Sequence, residues 1–155
     1  MCMLYIYVNG ICKIVQEREA KNMVSTYENY LETPKSLTFD QMRELHQKLL
    51  KEIENDPVGQ ELYDELIGEA TTYAEIRAKW LSLDRSQKME QDSFRTACHN
   101  SVITHFNMMA RYLKTQGKNT EWRDALGYEE DDKYFRKTIG DFGCYIVFIN
   151  SLCAR

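Results

Sequence analysis

Turn-forming residues are scarce in this chain: 155 residues include only 2 prolines and 7 glycines, roughly half of ordinary usage. Sandwiches and barrels need frequent turns, so the shortage excludes them as the main architecture and favours a few long helices. No hydrophobic run approaches the ~20 residues of a membrane span. The longest, residues 142–153, suits a buried core helix. Metal and redox signatures are also missing. The five cysteines, Cys2, Cys12, Cys98, Cys144 and Cys153, are odd in number and contain no C-x-x-C pair, which excludes a zinc knuckle or a thioredoxin-type site. Cys98, Cys144 and Cys153 fall among apolar helix positions, where a reduced thiol acts as a small hydrophobe, and a cytoplasmic location is expected.

Chemical motifs are equally sparse. Among His46, His99 and His105, the last two stand six residues apart, on opposite faces of a helix, and the Glu-x-x-His pair of di-iron bundles does not occur. No metal ligand set and no cofactor are therefore expected. Cys98 and His99 are adjacent, but consecutive helical side chains diverge by about 100°, which aims the pair poorly for proton transfer. There is no glycine-rich phosphate loop, nucleophile elbow or kinase-like set. No residue is assigned a catalytic role.

What is present suits one folded domain: 43% hydrophobic and 28% charged residues over a length that can bury a core. The formal charge of −4 argues against general nucleic-acid binding. The charge is uneven: residues 17–69 hold 13 acids and 6 bases, whereas residues 84–123 hold 7 bases and 4 acids. A bundle of these segments would have an acidic side and a mildly basic side.

The leader, MCMLYIYVNGICKIV, lacks the basic start and small-residue cleavage site of a signal peptide. Asn9-Gly10 between β-rich runs at residues 2–8 and 11–15 predicts a hairpin, which would have to dock to be stable. Two other readings stand beside it: a first helix already under way at Ile11, or a natural start at Met23 with the leader as an extension. The domain division is thus residues 1–15 as a hairpin or frayed extension and residues 16–155 as one helical bundle.

Periodicity supplies the helices. Residues 13–32 carry Ala20, Met23, Val24, Tyr27, Tyr30 and Leu31, and Thr33-Pro34 ends that segment. Thr38 and Gln41 form a capping box ahead of Phe39, Met42, Leu45, Leu49 and Ile53. Asp56-Pro57 starts the next helix, with Val58, Leu62, Leu66 and Ala70. Thr72 and Glu75 read as a second capping box, predicting a break near Thr71 before Ile76, Trp80 and Leu81. A long helix follows from about Asp84 to Thr115, ended by Gly117, with the stripe Phe94, Cys98, Val102, Phe106, Met109 and Leu113. A short piece over residues 121–126 is capped by Thr120 and stopped by Gly127.

The last helix, from about Asp131, has the stripe Phe135, Ile139, Phe142, Ile146, Ile149 and Cys153, with Tyr145, Val147, Phe148 and Leu152 on other faces. A helix apolar nearly all round belongs in the centre. Gly140 and Gly143 within it predict the close passage of a neighbouring backbone. The expected fold class is all-α: a single-domain helical bundle of about five to seven helices with a short N-terminal β-hairpin or disordered extension.

Polar residues thread the two helices expected to be most buried. Asn100, Asn107 and Arg111 share one face, Asp92, Arg95 and His99 another, and Asp141 lies beside the main apolar stripe. A buried carboxylate needs a partner, and Arg95, Arg111 and Arg123 are the candidates, with Trp122-Arg123 covering the end of the network. Such a line either fixes helix register or lines an interhelical pocket. His99, Asn100, Asn107, Arg111, Arg123 and Asp141 would then bind a small anionic or polar ligand.

The segments HNSVITHFNMMARYL, EWRDALG and RKTIGDFGCYIVFINSLCAR, within residues 84–155, resemble a family of small uncharacterised bacterial helical domains of unknown function. The resemblance implies a bacterial, intracellular, all-helical protein and assigns no catalytic residues.

The function expected from all this is a non-catalytic protein-interaction or regulatory module that works through a protein partner or a second copy of itself. Tyr27, Tyr30, Tyr63 and Tyr73 are its candidate contact residues. The alternative is a small-ligand binder or enzyme built around His99, Asn100, Arg111 and Asp141. The weakest reading is nucleic-acid binding through Arg111, Lys114, Lys118 and Arg123, with Tyr112 and Trp122 as stacking groups.

Overall fold

The computed structural model describes residues 3–8, 11–16, 37–127 and 133–153, with side chains over residues 37–127 and 136–151. The β-branched and aromatic leader forms strand β1 (Met3–Val8) and strand β2 (Ile11–Gln16), paired antiparallel with Val8 opposite Ile11. A hairpin with this register fits the Asn9-Gly10 signal. Because β2 continues to Gln16, no helix begins at Ile11 or Lys13. The remainder of the expected first helix and its Thr33-Pro34 terminator lie outside the described residues.

Capping chemistry sets the helix starts. Helix α1 (Phe39–Ile53) opens with the predicted box: the Gln41 amide donates to Thr38 Oγ1 at 3.2 Å and the Thr38 amide to Gln41 Oε1 at 2.9 Å. Helix α2 (Pro57–Trp80) is capped by Asp56, whose Oδ1 accepts from the Gly59 amide at 3.1 Å. The expected break near Thr71 does not occur. Inside an unbroken helix the Thr71 and Thr72 hydroxyls donate back to the carbonyls of Ile67 and Gly68, at 2.7 and 3.4 Å. A threonine has both options, and the continuous helix leaves no free amide for Thr72 to cap. The two threonines should separate on mutation. Thr38→Ala is expected to cost about 1 kcal/mol, whereas Thr72→Ala should be neutral or slightly stabilising because alanine is the better helix former. Equal losses in urea denaturation would contradict the assignment.

Helix α3 (Arg85–Thr115) is the longest, opened by a box between Asp84 and Gln87. It is closed by Gly117 at φ 68°, where the Lys118 amide reaches the Leu113 carbonyl, the six-to-one bond of a Schellman motif. Helix α4 (Glu121–Asp124) is shorter than expected. Thr120 makes no side-chain cap there, and Asn119 Oδ1 accepts from the Glu121 amide at 2.7 Å instead. Helix α5 spans Lys133–Cys153; the start expected near Asp131 lies outside the described residues.

Among the described residues the fold is therefore an all-α bundle of five helices preceded by a β-hairpin. Helices α2 and α3 run antiparallel along most of their lengths, with contacts Trp80–Arg95, Tyr73–His99, Glu69–Ser101 and Asp56–Tyr112 in opposite chain order. Helix α5 packs on both, and α1 packs against α2, α4 and α5. The predicted stripes of α1, and of α3 from Cys98 onward, are buried, as are Ile139, Phe142, Ile146 and Ile149 of α5. The Phe135 and Cys153 side chains lie outside the described set. Every residue from 138 to 146 is buried, which matches the central place expected for this helix.

Three stripe positions face solvent instead. Val58 lies in the first turn of α2, Leu81 in the turn after it, and Phe94 on α3 ahead of Cys98, its first buried residue; all three are exposed. Tyr63 and Tyr73, expected as contact surface, belong to the core. At Gly140 and Gly143 the close neighbours are side chains, not backbone: His99 and Tyr73 at the first, Val102 at the second. No helix among the described residues is long and apolar enough to cross a membrane.

Candidate functional site

Among the described residues, a polar cluster joins α2, α3 and α5. Arg77 and Tyr73 stand one turn apart on α2, Asp141 and Cys144 three residues apart on α5, and His99 opposite them on α3. Asp141, only 1% exposed, accepts from Arg77 Nη1 at 2.6 Å. The same guanidinium lies 3.9 Å from Cys144 Sγ and 5.8 Å from the Tyr73 ring centre. The Tyr73 and His99 rings stack at 4.9 Å, and His99 Nε2 donates to the Arg136 carbonyl at 2.7 Å. Arg136 also donates to Asn100 Oδ1.

Burial governs the chemistry here. It pushes the Cys144 thiol and the Tyr73 phenol up to about 12 and holds His99 below the usual imidazole value. A protonated thiol and a neutral, carbonyl-bound imidazole are not an activated nucleophile and base.

Of the residues the sequence singled out, His99 and Asn100 meet at Arg136, and Asn107 meets Arg123. The Arg123 guanidinium donates to Asn107 Oδ1 at 2.9 and 2.8 Å and to the Gly127 carbonyl at 2.5 Å. Arg111 lies exposed on the outside of α3. The arginine beside Asp141 is thus Arg77, not one of the three expected; Arg95 instead reaches Asp92 at 2.9 Å and covers the Trp80 ring at 4.1 Å. Arg77 escaped the sequence reading because the supposed break at Thr71 separated it from the core face of α2. Its signal was its place one turn after Tyr73 on an uninterrupted helix.

A second polar group was missed altogether. His46, fully enclosed, lies 2.7 Å from the Tyr63 hydroxyl, which accepts from Asn150 Nδ2 at 3.2 Å. The tyrosine proton is then free to point at His46 Nε2, which fits a neutral imidazole; burial lowers the His46 pKa to about 3. A third pair holds the far end of the bundle, where the Tyr112 hydroxyl donates to Asp56 Oδ1 at 2.7 Å and draws that carboxyl below its ordinary range.

Trp122 and Arg123 are buried, which removes them as an exposed stacking and phosphate-binding pair, and Trp122 Nε1 has no hydrogen-bond partner among the described residues. Among the described residues, no three His, Cys, Asp or Glu side chains gather into a metal-binding group. The chain matches no family model, no curated protein and no solved structure.

His99, Asn107, Arg123 and Asp141 bond within the bundle, whereas Asn100 and Arg111 lie on the surface of α3. The outer face of α3 presents Phe94 at 56% and Met108 at 40% exposure, with Ala97, Asn100 and Thr104 exposed between them. Over residues 93–110 the only charged side chain is Arg95, and it is folded onto Trp80.

Proposed function

We propose that this protein is a non-catalytic interaction module whose contact surface is the outer face of α3. The observation that carries the reading is that residues 96–110 of α3 contain no Asp, Glu, Lys or Arg while Phe94 and Met108 stand exposed on the helix, in a chain 28% charged overall. A solvated helix face normally carries charges at such positions, and depletion of charge around large apolar groups is the compositional mark of an interface centre. The interior is consistent with this reading, because His99, Asp141 and Arg123 direct hydrogen bonds to neighbouring helices and so tie the bundle together.

The test is a double substitution, Phe94→Glu with Met108→Glu, used beside the unaltered chain as matched affinity baits in a lysate of the source organism. The melting temperature should move by no more than a few degrees, since surface changes remote from core features cost within about 0.5 kcal/mol. A protein retained by the original chain should be absent from the variant. Identical retained sets from both baits would reject the α3 face as the working surface.

A further inference from the structure

Resting on that reading, we infer that the occupant of this face is a second copy of the same chain, docked antiparallel along α3 about a two-fold axis near Ser101. Glu90, Phe94, Ala97, Ser101, Thr104, Met108 and Arg111 follow one another at intervals of four, three, four, three, four and three. That is the 3.5-residue repeat by which one helix keeps a seam towards another. All are exposed except Ser101, which is half-buried and donates its hydroxyl to Glu69 Oε2 at 2.7 Å. The Ser101 hydroxyl at the centre of the seam is therefore already satisfied within the chain.

The seam is also its own complement. Turned end for end about Ser101, it sets Phe94 against the second copy's Met108, Ala97 against Thr104, and Glu90 against Arg111. Large meets large at two symmetric places, small meets small between them, and opposite charges meet at both ends. Neither Glu90 nor Arg111 has an ion-pair partner among the described residues. A parallel pairing would instead oppose Glu90 to Glu90 and Arg111 to Arg111. An isologous contact of this kind closes on itself as a dimer. Its length, about 32 Å from Glu90 to Arg111 at 1.5 Å per residue, places it at the small end of stable interfaces, so a Kd on the order of 1–100 µM is expected.

Sedimentation equilibrium of the full chain from about 1 to 500 µM, spanning that expected Kd, tests the inference. The original chain should show a monomer–dimer equilibrium. Glu90→Arg and Arg111→Glu, each alone, should weaken it about tenfold or more, the loss expected when like charges replace an opposed pair. Mixing the two single variants should restore association, since each then meets its opposite, and the double variant should pair with itself. A chain monomeric throughout overturns the inference, as does a dimer indifferent to both single changes. These failures are separable from that of the broader reading: a strict monomer whose bait still loses its captured protein with Phe94→Glu and Met108→Glu retains the interaction surface and loses only the self-pairing.

Discussion

Replacing Arg77 by methionine should lower the free energy of unfolding by about 3–5 kcal/mol, the range for removing one partner of a buried ion pair. Methionine keeps most of the aliphatic stem, so the loss reports the charge more than the packing. Asp141 cannot reach water: it is 1% exposed and sits in a stretch of α5 in which every residue from 138 to 146 is buried. The Arg77 side chain retains 12% exposure, and a long cation can move its head towards solvent. Removing the carboxylate charge instead, by Asp141→Asn, should therefore cost less than Arg77→Met, although the same contact is broken. Combining Arg77→Met with Asp141→Asn should recover part of the loss, because no buried carboxylate then faces the missing arginine. Urea denaturation of the three variants measures all of this. A loss below about 1 kcal/mol for Arg77→Met, against the range expected for a buried pair, would show that the contact does not organise the α2–α5 junction, and so would a greater loss for Asp141→Asn.

The pair also illustrates where sequence reasoning reached its limit. Local signals are written in contiguous residues, and they were legible: the Thr38–Gln41 box, the Asp56-Pro57 start, the Gly117 stop and the Asn9-Gly10 hairpin each depend on chemistry within a few positions. That Asp141 needs a cationic partner was equally legible, from burial cost alone. Which cation fills the role was not, because 64 residues separate Arg77 from Asp141 and the answer depends on the relative rotation of two helices. The false break at Thr71 compounded this. A Thr-x-x-Glu pattern states that a cap is available and does not state that the preceding helix stops, and here the hydroxyl turned back onto Gly68. Phe94 failed for a related reason. Its spacing from Cys98 is that of a core stripe, but burial requires a neighbour, and the buried part of α3 begins only at Cys98. The outer seam of α3 was present in the sequence throughout. The inner stripe of the same helix shares Phe94 with it and is more hydrophobic, so it dominates the periodicity.

Acid should destabilise this protein well above the range in which carboxylates protonate, and His46 should be the main cause. The side chain is enclosed by the parallel Tyr63 ring at 6.0 Å and by the edge-on rings of Tyr145 and Phe142 at 5.8 and 6.5 Å. Burial holds its pKa at about 3 in the folded chain against 6.5 as the ordinary value. Because the folded pKa is depressed, the unfolded chain takes up the proton first. Stability is complete above pH 6.5 and declines as the pH falls from there towards 3. At 1.36 kcal/mol per unit, the loss between pH 7 and pH 5 is about 2 kcal/mol. His99, also lowered by burial, acts in the same direction, so the total slope alone does not isolate His46. The comparison that does is His46→Gln, which removes the titration and leaves a side chain able to bond the Tyr63 hydroxyl. The variant should begin less stable at pH 7 and lose about 2 kcal/mol less than the original on going to pH 5. The His46 Cε1 proton resonance of the original chain should stay constant over that interval, since the folded imidazole remains neutral. Parallel stability curves, or a His46 resonance that titrates near pH 6, would mean that water reaches the imidazole and that the Tyr63–Asn150 enclosure is open in solution.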